Sequence, residues 1–366
     1  MANTNDRRNL GNRNDWRRLG VFWISVVSLM AMGGGVVEWL GPPGKQTRVA
    51  HGVPPENHAV HAQQETPLVR VVARPAGSAS VIAGRDTPGP VADPDPSLLE
   101  PAGDGLTGQL PRIAPGGATP MQIYAAGFDH GSRRPRVGLL VAGIGLNESE
   151  SEAAIRALPG AVSLAVSPYA RNLTRLLTTA RTLGHEYLIA IPLEPVGFPL
   201  NDPGPETLLT SAPAAINARN LRWALSRIEG YVGATGVIGT MRGERLAAMT
   251  DRIEAVLIEL AGRGLLYIDP REERGPVAKT WGRHVELIVD DPPERNAIDA
   301  KLAELEQQAK DRGSALGLVM RPTPVAVARI AAWTTGLADR GLALAPVSAL
   351  AVAPADAQMK LSEREK

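Results

Sequence analysis

The segment RVGLLVA at residues 136–142 is a continuous apolar run and the first of a regular series. Stretches with a helical period separate the members of the series. The later members are AVSLAV (161–166), EYLIAI (186–191), VGATGVI (232–238), LLYI (265–268), VELIV (285–289), ALGLVM (315–320) and LALAP (342–346). Continuous apolar strands are buried on both faces, which is typical of a parallel sheet covered by helices. The region 136–352 is therefore predicted to form a closed or nearly closed (β/α) barrel, with an open doubly wound sheet as the alternative.

In both architectures, functional side chains lie just past the C-terminal ends of the strands, at an opening that we call the mouth. The residues at these positions are Gly143, Glu194, Thr240, Arg242, Asp269, Arg271, Asp290, Asp291 and Arg321. Their arginines and carboxylates predict a site for a polar, anionic ligand. The alternative is that these charges are solvated or paired with each other.

Histidine is not predicted at the mouth. His130 precedes the first strand, His185 the third and His284 the sixth, so all three are expected towards the opposite end of the barrel. A metal held by histidine at the mouth is therefore not expected. Structural hydrogen bonds are the expected role of these side chains.

The N-terminus has the pattern of a membrane anchor. Residues 1–18 contain five arginines, and the run from Leu19 to Val37 carries no charge. A bilayer core about 30 Å thick needs roughly 20 helical residues, so the region 19–40 is predicted to span the membrane. The positive-inside rule places the head in the cytoplasm and the C-terminal domain in the periplasm, with a single pass through a bacterial inner membrane. Three glycines at 33–35 leave a cleaved signal as the alternative.

Proline and glycine dominate the next region. Between residues 41 and 135 there are 15 Pro and 13 Gly, a content typical of disorder. We predict a disordered linker at 41–109 and a lead-in segment at 110–135 that lies against the barrel. The charged tail at 353–366 is also predicted to be disordered.

Overall composition excludes several classes of protein. The chain has 39 Lys+Arg against 38 Asp+Glu, and this balance gives no support for a nucleic-acid partner. The absence of Cys excludes disulfides, cysteine-ligated metals and a thiol nucleophile.

Five segments together resemble the divergent polysaccharide deacetylase family of bacterial envelopes, in their order and spacing. They are LPGAVSLAVSPYA (158–170), ARTLGHEYLIAIPLEP (180–195), NDPGPETLL (201–209), GLLYID (264–269) and VDDPP (289–293). The resemblance covers residues 136–350. It implies a distorted (β/α) barrel of the glycoside hydrolase and deacetylase type, related to esterases that remove acetyl groups from glycans with a metal-activated water.

The chain departs from the family pattern at the residues that the resemblance implies for catalysis. Ala142-Gly143 stands in place of an Asp-Asp pair, Thr240 in place of a His, and Arg321 in place of the His of a Gly-His-Pro segment. Among the carboxylates that remain, Asp269 and Asp291 best match family carboxylates that face the mouth. The catalytic metal that the resemblance implies would need about three protein ligands and an open coordination position.

Three functional hypotheses follow. The first is a catalytically degenerate protein, without a metal cofactor, that acts by regulation or by binding a glycan or peptidoglycan-like polymer. Its binding residues would be Arg242, Arg321, Arg271 and Thr240. The second is an active deacetylase that holds a divalent metal in a rearranged carboxylate site; its candidate residues are Asp269, Asp291 and Glu194. The third is an envelope scaffold that binds a protein partner and has no affinity for sugar.

Overall fold

The computed structural model describes residue 82, residues 84–272 and residues 277–354. The predicted head at 1–18 and anchor at 19–40 lie outside these residues, as does nearly all of the predicted tail. Within the described ranges, no helix is both long and apolar enough to span a membrane.

Strands and helices alternate along most of the described chain, as the apolar runs predicted. The strands are β1 (Leu99–Pro101), β2 (Gln109–Pro111), β3 (Arg136–Ile144), β4 (Ser163–Val166), β5 (Tyr187–Ala190), β6 (Gly233–Thr235), β7 (Leu266–Glu272), β8 (Gly282–Val285), β9 (Leu287–Ile288), β10 (Ser314–Val319) and β11 (Ala343–Leu344). The α-helices are α1 (Pro120–Ile123), α2 (Glu148–Ala157), α3 (Leu173–Thr182), α4 (Ala214–Leu225), α5 (Glu244–Ala247), α6 (Thr250–Gly262), α7 (Arg295–Arg312) and α8 (Pro324–Thr335). Short 3-10 helices are formed by Pro96–Leu98 and Val347–Ala349. Strands and helices alternate from β3 to β7 and from β9 to β11, whereas among the described residues no helix separates β7, β8 and β9.

The large sheet is parallel and nearly closed. Its strands are ordered β8-β7-β6-β5-β4-β3-β10-β9, and β11 pairs with the start of β3. Only Glu286 separates β8 from β9, and its N–H donates to the carbonyl of Leu316 in β10. The first and last strands of this order, β8 and β9, are thus adjacent along the chain, so the sheet nearly closes into a barrel. The predicted barrel is confirmed in this form.

Two hydrophobic clusters cover the two faces of the sheet. The outer cluster, on the helix side, contains Val137, Leu139 and Val141 of β3 together with the helical residues Ile155, Leu257, Leu302 and Ile330. The inner cluster contains Leu140, Ala142, Leu188, Leu266, Leu316 and Leu318. Successive residues of a strand face opposite sides, so a strand buried on both faces is apolar at every position.

The first described part of the predicted linker is folded against the barrel, which differs from the prediction of disorder to residue 109. Val91 N–H donates to the carbonyl of Arg181 (2.9 Å), and Leu98 is 1% exposed. Residues of β1 and β2 pair as an antiparallel hairpin, with Leu99 opposite Pro111. A few buried apolar side chains anchor this region, and their contribution is diluted in an average over a Pro- and Gly-rich window.

The carboxylate of Glu186, immediately before β5, joins four segments of the chain. It accepts hydrogen bonds from the Ala126 N–H (2.9 Å), the Ser163 hydroxyl (2.8 Å), and both the N–H (3.0 Å) and hydroxyl (2.6 Å) of Ser348. The lead-in segment, β4, β5 and the C-terminal 3-10 helix therefore meet at this fully buried group. Burial raises the pKa of Glu186, and the donated hydrogen bonds oppose that shift.

Candidate functional site

A cavity of about 210 Å³ lies where the ends of β9 and β10 meet the loop after β6. We call it the mouth cavity; it is lined by Thr240, Arg242, Ile288, Asp290, Asp291, Pro293, Met320 and Arg321. Ile288 and Met320 belong to the inner cluster, so the cavity lies over the inside of the barrel. It brings together Thr240, Arg242 and Arg321 with the carboxylate of Asp291. The sequence had not indicated the apolar lining residues, whose only signal was their position at the ends of apolar runs.

Asp290 fixes the backbone at one side of the cavity. Its carboxylate accepts the N–H groups of Met320 (2.8 Å) and Arg321 (3.0 Å), and it is 7% exposed. Burial raises the pKa of Asp290 above 3.8, while the two N–H groups act in the opposite direction. Asp290 thus joins the end of β9 to the segment that carries Arg321.

Arg321 and Asp291 offer opposite charges to the cavity. Both residues are exposed. Among the described residues neither has an ion-pair partner, and the two do not pair with each other. Both groups are therefore accessible to a ligand.

Arg242 is partly neutralised by neighbouring carboxylates. Its Nε lies 3.3 Å from Oε1 of Glu244, and its Nη1 lies 3.9 Å from Oε2 of Glu272. Two backbone hydrogen bonds between Ile238 and Met241 (2.9 and 3.0 Å) hold the loop that carries the exposed Thr240. This loop contributes a hydroxyl and a guanidinium group to the lining of the cavity.

Glu194 is not among the residues that line the mouth cavity. Its Oε2 accepts the hydroxyl of Thr210 (2.7 Å) and the N–H of the same residue (2.5 Å), and its Oε1 lies 3.1 Å from Nε of Arg245. The side chain is almost fully buried, with both oxygens occupied. In this structure Glu194 connects the loop after β5 to α5.

Asp269 and Arg271 pair with each other outside the mouth cavity. Arg271 Nε lies 3.0 Å from Asp269 Oδ1, and Arg271 Nη2 lies 2.7 Å from Asp269 Oδ2. Strand β7 continues to Glu272, so Asp269 lies within the strand and not past its end. Ile268 belongs to the inner cluster and Tyr267 to the outer one, so alternation places Asp269 on the outer side.

The position predicted for His284 needs correction. Strand β8 begins at Gly282, so His284 lies inside the strand and is in register with Asp269. Its Nδ1 is 3.5 Å from Oδ2 of that residue. The apolar run at 285–289 did not show that the polar residues before it continue the strand.

The other two histidines contact backbone and aromatic groups. His185 has no exposed surface, and its Nδ1 and Nε2 lie 2.8 and 3.0 Å from the carbonyl oxygens of Val162 and Ile155. The prediction of a structural hydrogen-bonding role for His185 is confirmed. His130 packs edge-on against Phe128, with ring centroids 5.4 Å apart.

The metal implied by the family resemblance does not fit the donors of the described residues. Across residues 84–272 and 277–354, no group of three or more His, Cys, Asp or Glu side chains is placed to hold a metal ion. Ala142 is fully buried in the inner cluster, and Gly143 has φ +75°. A Cβ added at Gly143 would lie 3.3 Å from the carbonyl oxygen of Met320, so a carboxylate is poorly accommodated there.

Comparison with known proteins identifies the family. The model of the divergent polysaccharide deacetylase family matches residues 139–351, and the chain belongs to this family. A solved structure of an uncharacterized protein from Agrobacterium tumefaciens C58 is 33% identical, with a TM-score of 0.61; the match covers 67% of this chain and 100% of that one. Another solved structure, from Enterococcus faecalis V583, has 12% identity and a TM-score of 0.41 over 60% of this chain and 100% of its own. No curated protein matches the chain.

Proposed function

We propose that the protein is a catalytically degenerate divergent polysaccharide deacetylase, anchored in the inner membrane, that binds an envelope glycan in the mouth cavity. The observation that carries the proposal is the lining of this cavity. Arg321 and Thr240, at positions where the resemblance implies histidine, lie there with Arg242 and accessible polar groups. Peptidoglycan or a similar polymer in the periplasm is the proposed ligand.

The chemistry of these side chains favours binding over hydrolysis. A guanidinium group stays protonated in proteins, so it cannot exchange a proton with a reacting amide. It does bind carboxylate and acetyl oxygens through paired N–H donors. The hydroxyl of Thr240 can donate to or accept from a sugar hydroxyl. Arg271, which pairs with Asp269 outside the cavity, has no part in this proposal.

The anchor gives this binding a location. Residues 19–40 would hold the chain in the membrane. A tethered binder gains effective concentration at its own membrane surface, so modest affinity for a single sugar suffices.

A binding measurement on the full-length protein in detergent tests the proposal. Soluble peptidoglycan fragments are titrated into the wild type, Arg321→Ala, Arg242→Ala and the control Arg175→Ala. Arg175 lies on α3, where it pairs with Glu148 and Glu152 away from the cavity. Loss of a charge-assisted hydrogen bond should weaken binding about tenfold or more for Arg321→Ala. Equal affinity of this variant and the wild type would overturn the proposal.

Acetate release and metal content of the same preparation test the second candidate function. Asp290 and Asp291 are the two carboxylates at this cavity, so a rearranged metal site would have to use them, although Asp290 already accepts two backbone N–H groups. Stoichiometric metal together with acetate release from acetylated fragments would make the protein an active deacetylase. Absence of any sugar binding would favour the envelope scaffold.

A further inference from the structure

The mouth cavity carries one uncompensated positive charge and one uncompensated negative charge. Arg242 has two carboxylates nearby, at 3.3 and 3.9 Å, and Asp290 is occupied by two backbone N–H groups. Arg321 and Asp291 are left exposed, and no described residue forms an ion pair with either. The cavity is therefore dipolar.

The size of the cavity limits what can use both charges. At about 210 Å³ it is smaller than the roughly 300–1,000 Å³ usual for sites of drug-sized ligands. It accommodates a group of about one sugar residue. A ligand with a single charge would satisfy either Arg321 or Asp291 and would leave the other partly desolvated, which is unfavourable.

We propose that the mouth cavity binds a sugar residue that carries both a carboxylate and a free ammonium group. This inference rests on the proposed glycan-binding function and specifies its ligand. The Arg321 guanidinium binds the carboxylate, since its fork of N–H donors matches two oxygens. The Asp291 carboxylate accepts N–H groups of the ammonium. Thr240 and Arg242 face the sugar hydroxyls.

The test compares four monosaccharides by titration calorimetry with the full-length protein. Muramic acid carries both charged groups, glucosamine carries the ammonium, glucuronic acid carries the carboxylate, and N-acetylglucosamine carries neither. Muramic acid is expected to bind at least about tenfold more tightly than each of the others, because it alone makes both charge-assisted contacts. D-Alanine is a fifth probe, with the same two charges but no sugar ring.

Two variants test which charged group of the ligand is bound by Arg321 and which by Asp291. Arg321→Gln should weaken the binding of muramic acid and of glucuronic acid about tenfold or more. The affinity for glucosamine should be unchanged. Asp291→Asn should weaken the binding of muramic acid and of glucosamine, and the affinity for glucuronic acid should be unchanged. Arg175→Ala is the control for both variants.

The outcomes separate this inference from the function on which it rests. If N-acetylglucosamine binds as tightly as muramic acid and Arg321→Ala still weakens binding of peptidoglycan fragments, the dipolar ligand is rejected and glycan binding stands. If D-alanine binds and the sugars do not, the cavity recognises the two charges of a free amino acid and both proposals fail. If no probe and no fragment binds, the proposed function itself is rejected.

Discussion

His185 and Glu186 are consecutive, have no exposed surface and form hydrogen bonds with different layers of the molecule. The ring nitrogens of His185 lie at hydrogen-bond distance from the carbonyl of Val162, just before β4, and from that of Ile155 on α2. The carboxylate of Glu186 instead accepts hydrogen bonds from Ala126 of the lead-in segment and from Ser348 of the 3-10 helix Val347–Ala349. Successive side chains of an extended segment point to opposite sides. One dipeptide thus connects a helix on the outside to the segments that close the other face.

The Glu186→Gln variant should change how stability depends on pH. Burial raises the pKa of Glu186 above its usual 4.5, so the folded protein holds this proton more tightly than the unfolded chain. The free energy of unfolding should therefore fall as pH rises from 4.5 through the raised pKa. One such proton gives at most about 1.4 kcal/mol per pH unit. Urea unfolding across this range should show the slope in the wild type and its loss in Glu186→Gln.

The exposed Glu304 on α7 supplies the control for that experiment. Glu304→Gln should keep the wild-type slope. A wild-type slope retained in Glu186→Gln would mean that Glu186 has the same proton affinity in the folded and unfolded states.

His185 should contribute a pH dependence of the opposite sign. A neutral imidazole donates to only one of its two carbonyl partners, and burial lowers the pKa of His185 below 6.5. The unfolded chain then binds more protons, so stability should fall as pH drops from 6.5 through the lowered pKa. His185→Gln should remove this decline and lower stability by about 1–3 kcal/mol through the lost hydrogen bond. An undiminished acid-side decline in this variant would contradict the assignment.

Part of the site could be predicted from the sequence because parallel strands end at one edge of the sheet. That rule places Thr240, Arg242, Asp291 and Arg321 together, as the mouth cavity does. It does not place Asp269, because β7 continues through polar residues that an apolar run does not mark. A hydrophobic pattern identifies the buried part of a strand more reliably than its end.

The role of Glu186 could not be predicted from the sequence. Its partners Ala126 and Ser348 are 60 and 162 residues away along the chain. A glutamate before an apolar run has the pattern of a solvated strand end, and no local signal distinguishes that case from a buried carboxylate. Only the folding of the whole barrel brings its donors together.

Gly143→Asp should destabilise the protein without creating a metal site. Gly143 has φ +75°, a conformation that costs an L-residue about 1–2 kcal/mol. The new Cβ would also lie 3.3 Å from the Met320 carbonyl oxygen. Urea unfolding measures the effect, and Gly116→Asp is the matched control, since a Cβ at Gly116 meets no atom within 4 Å. Equal stability of the two variants would show that the turn accepts a carboxylate, and metal titration would then follow.

Asp290→Asn should weaken glycan binding by displacing Arg321. The two carboxylate oxygens of Asp290 accept the N–H groups of Met320 and Arg321, whereas an amide offers one oxygen and directs its own N–H₂ at the other donor. Affinity for peptidoglycan fragments should fall about tenfold, since a small displacement misaligns a paired guanidinium contact. If the substitution only made the protein less stable, the fraction that remains folded would bind the fragments with unchanged affinity. Asp311→Asn, at an exposed position on α7, is the control. Wild-type affinity in Asp290→Asn would show that Arg321 holds its position without this carboxylate.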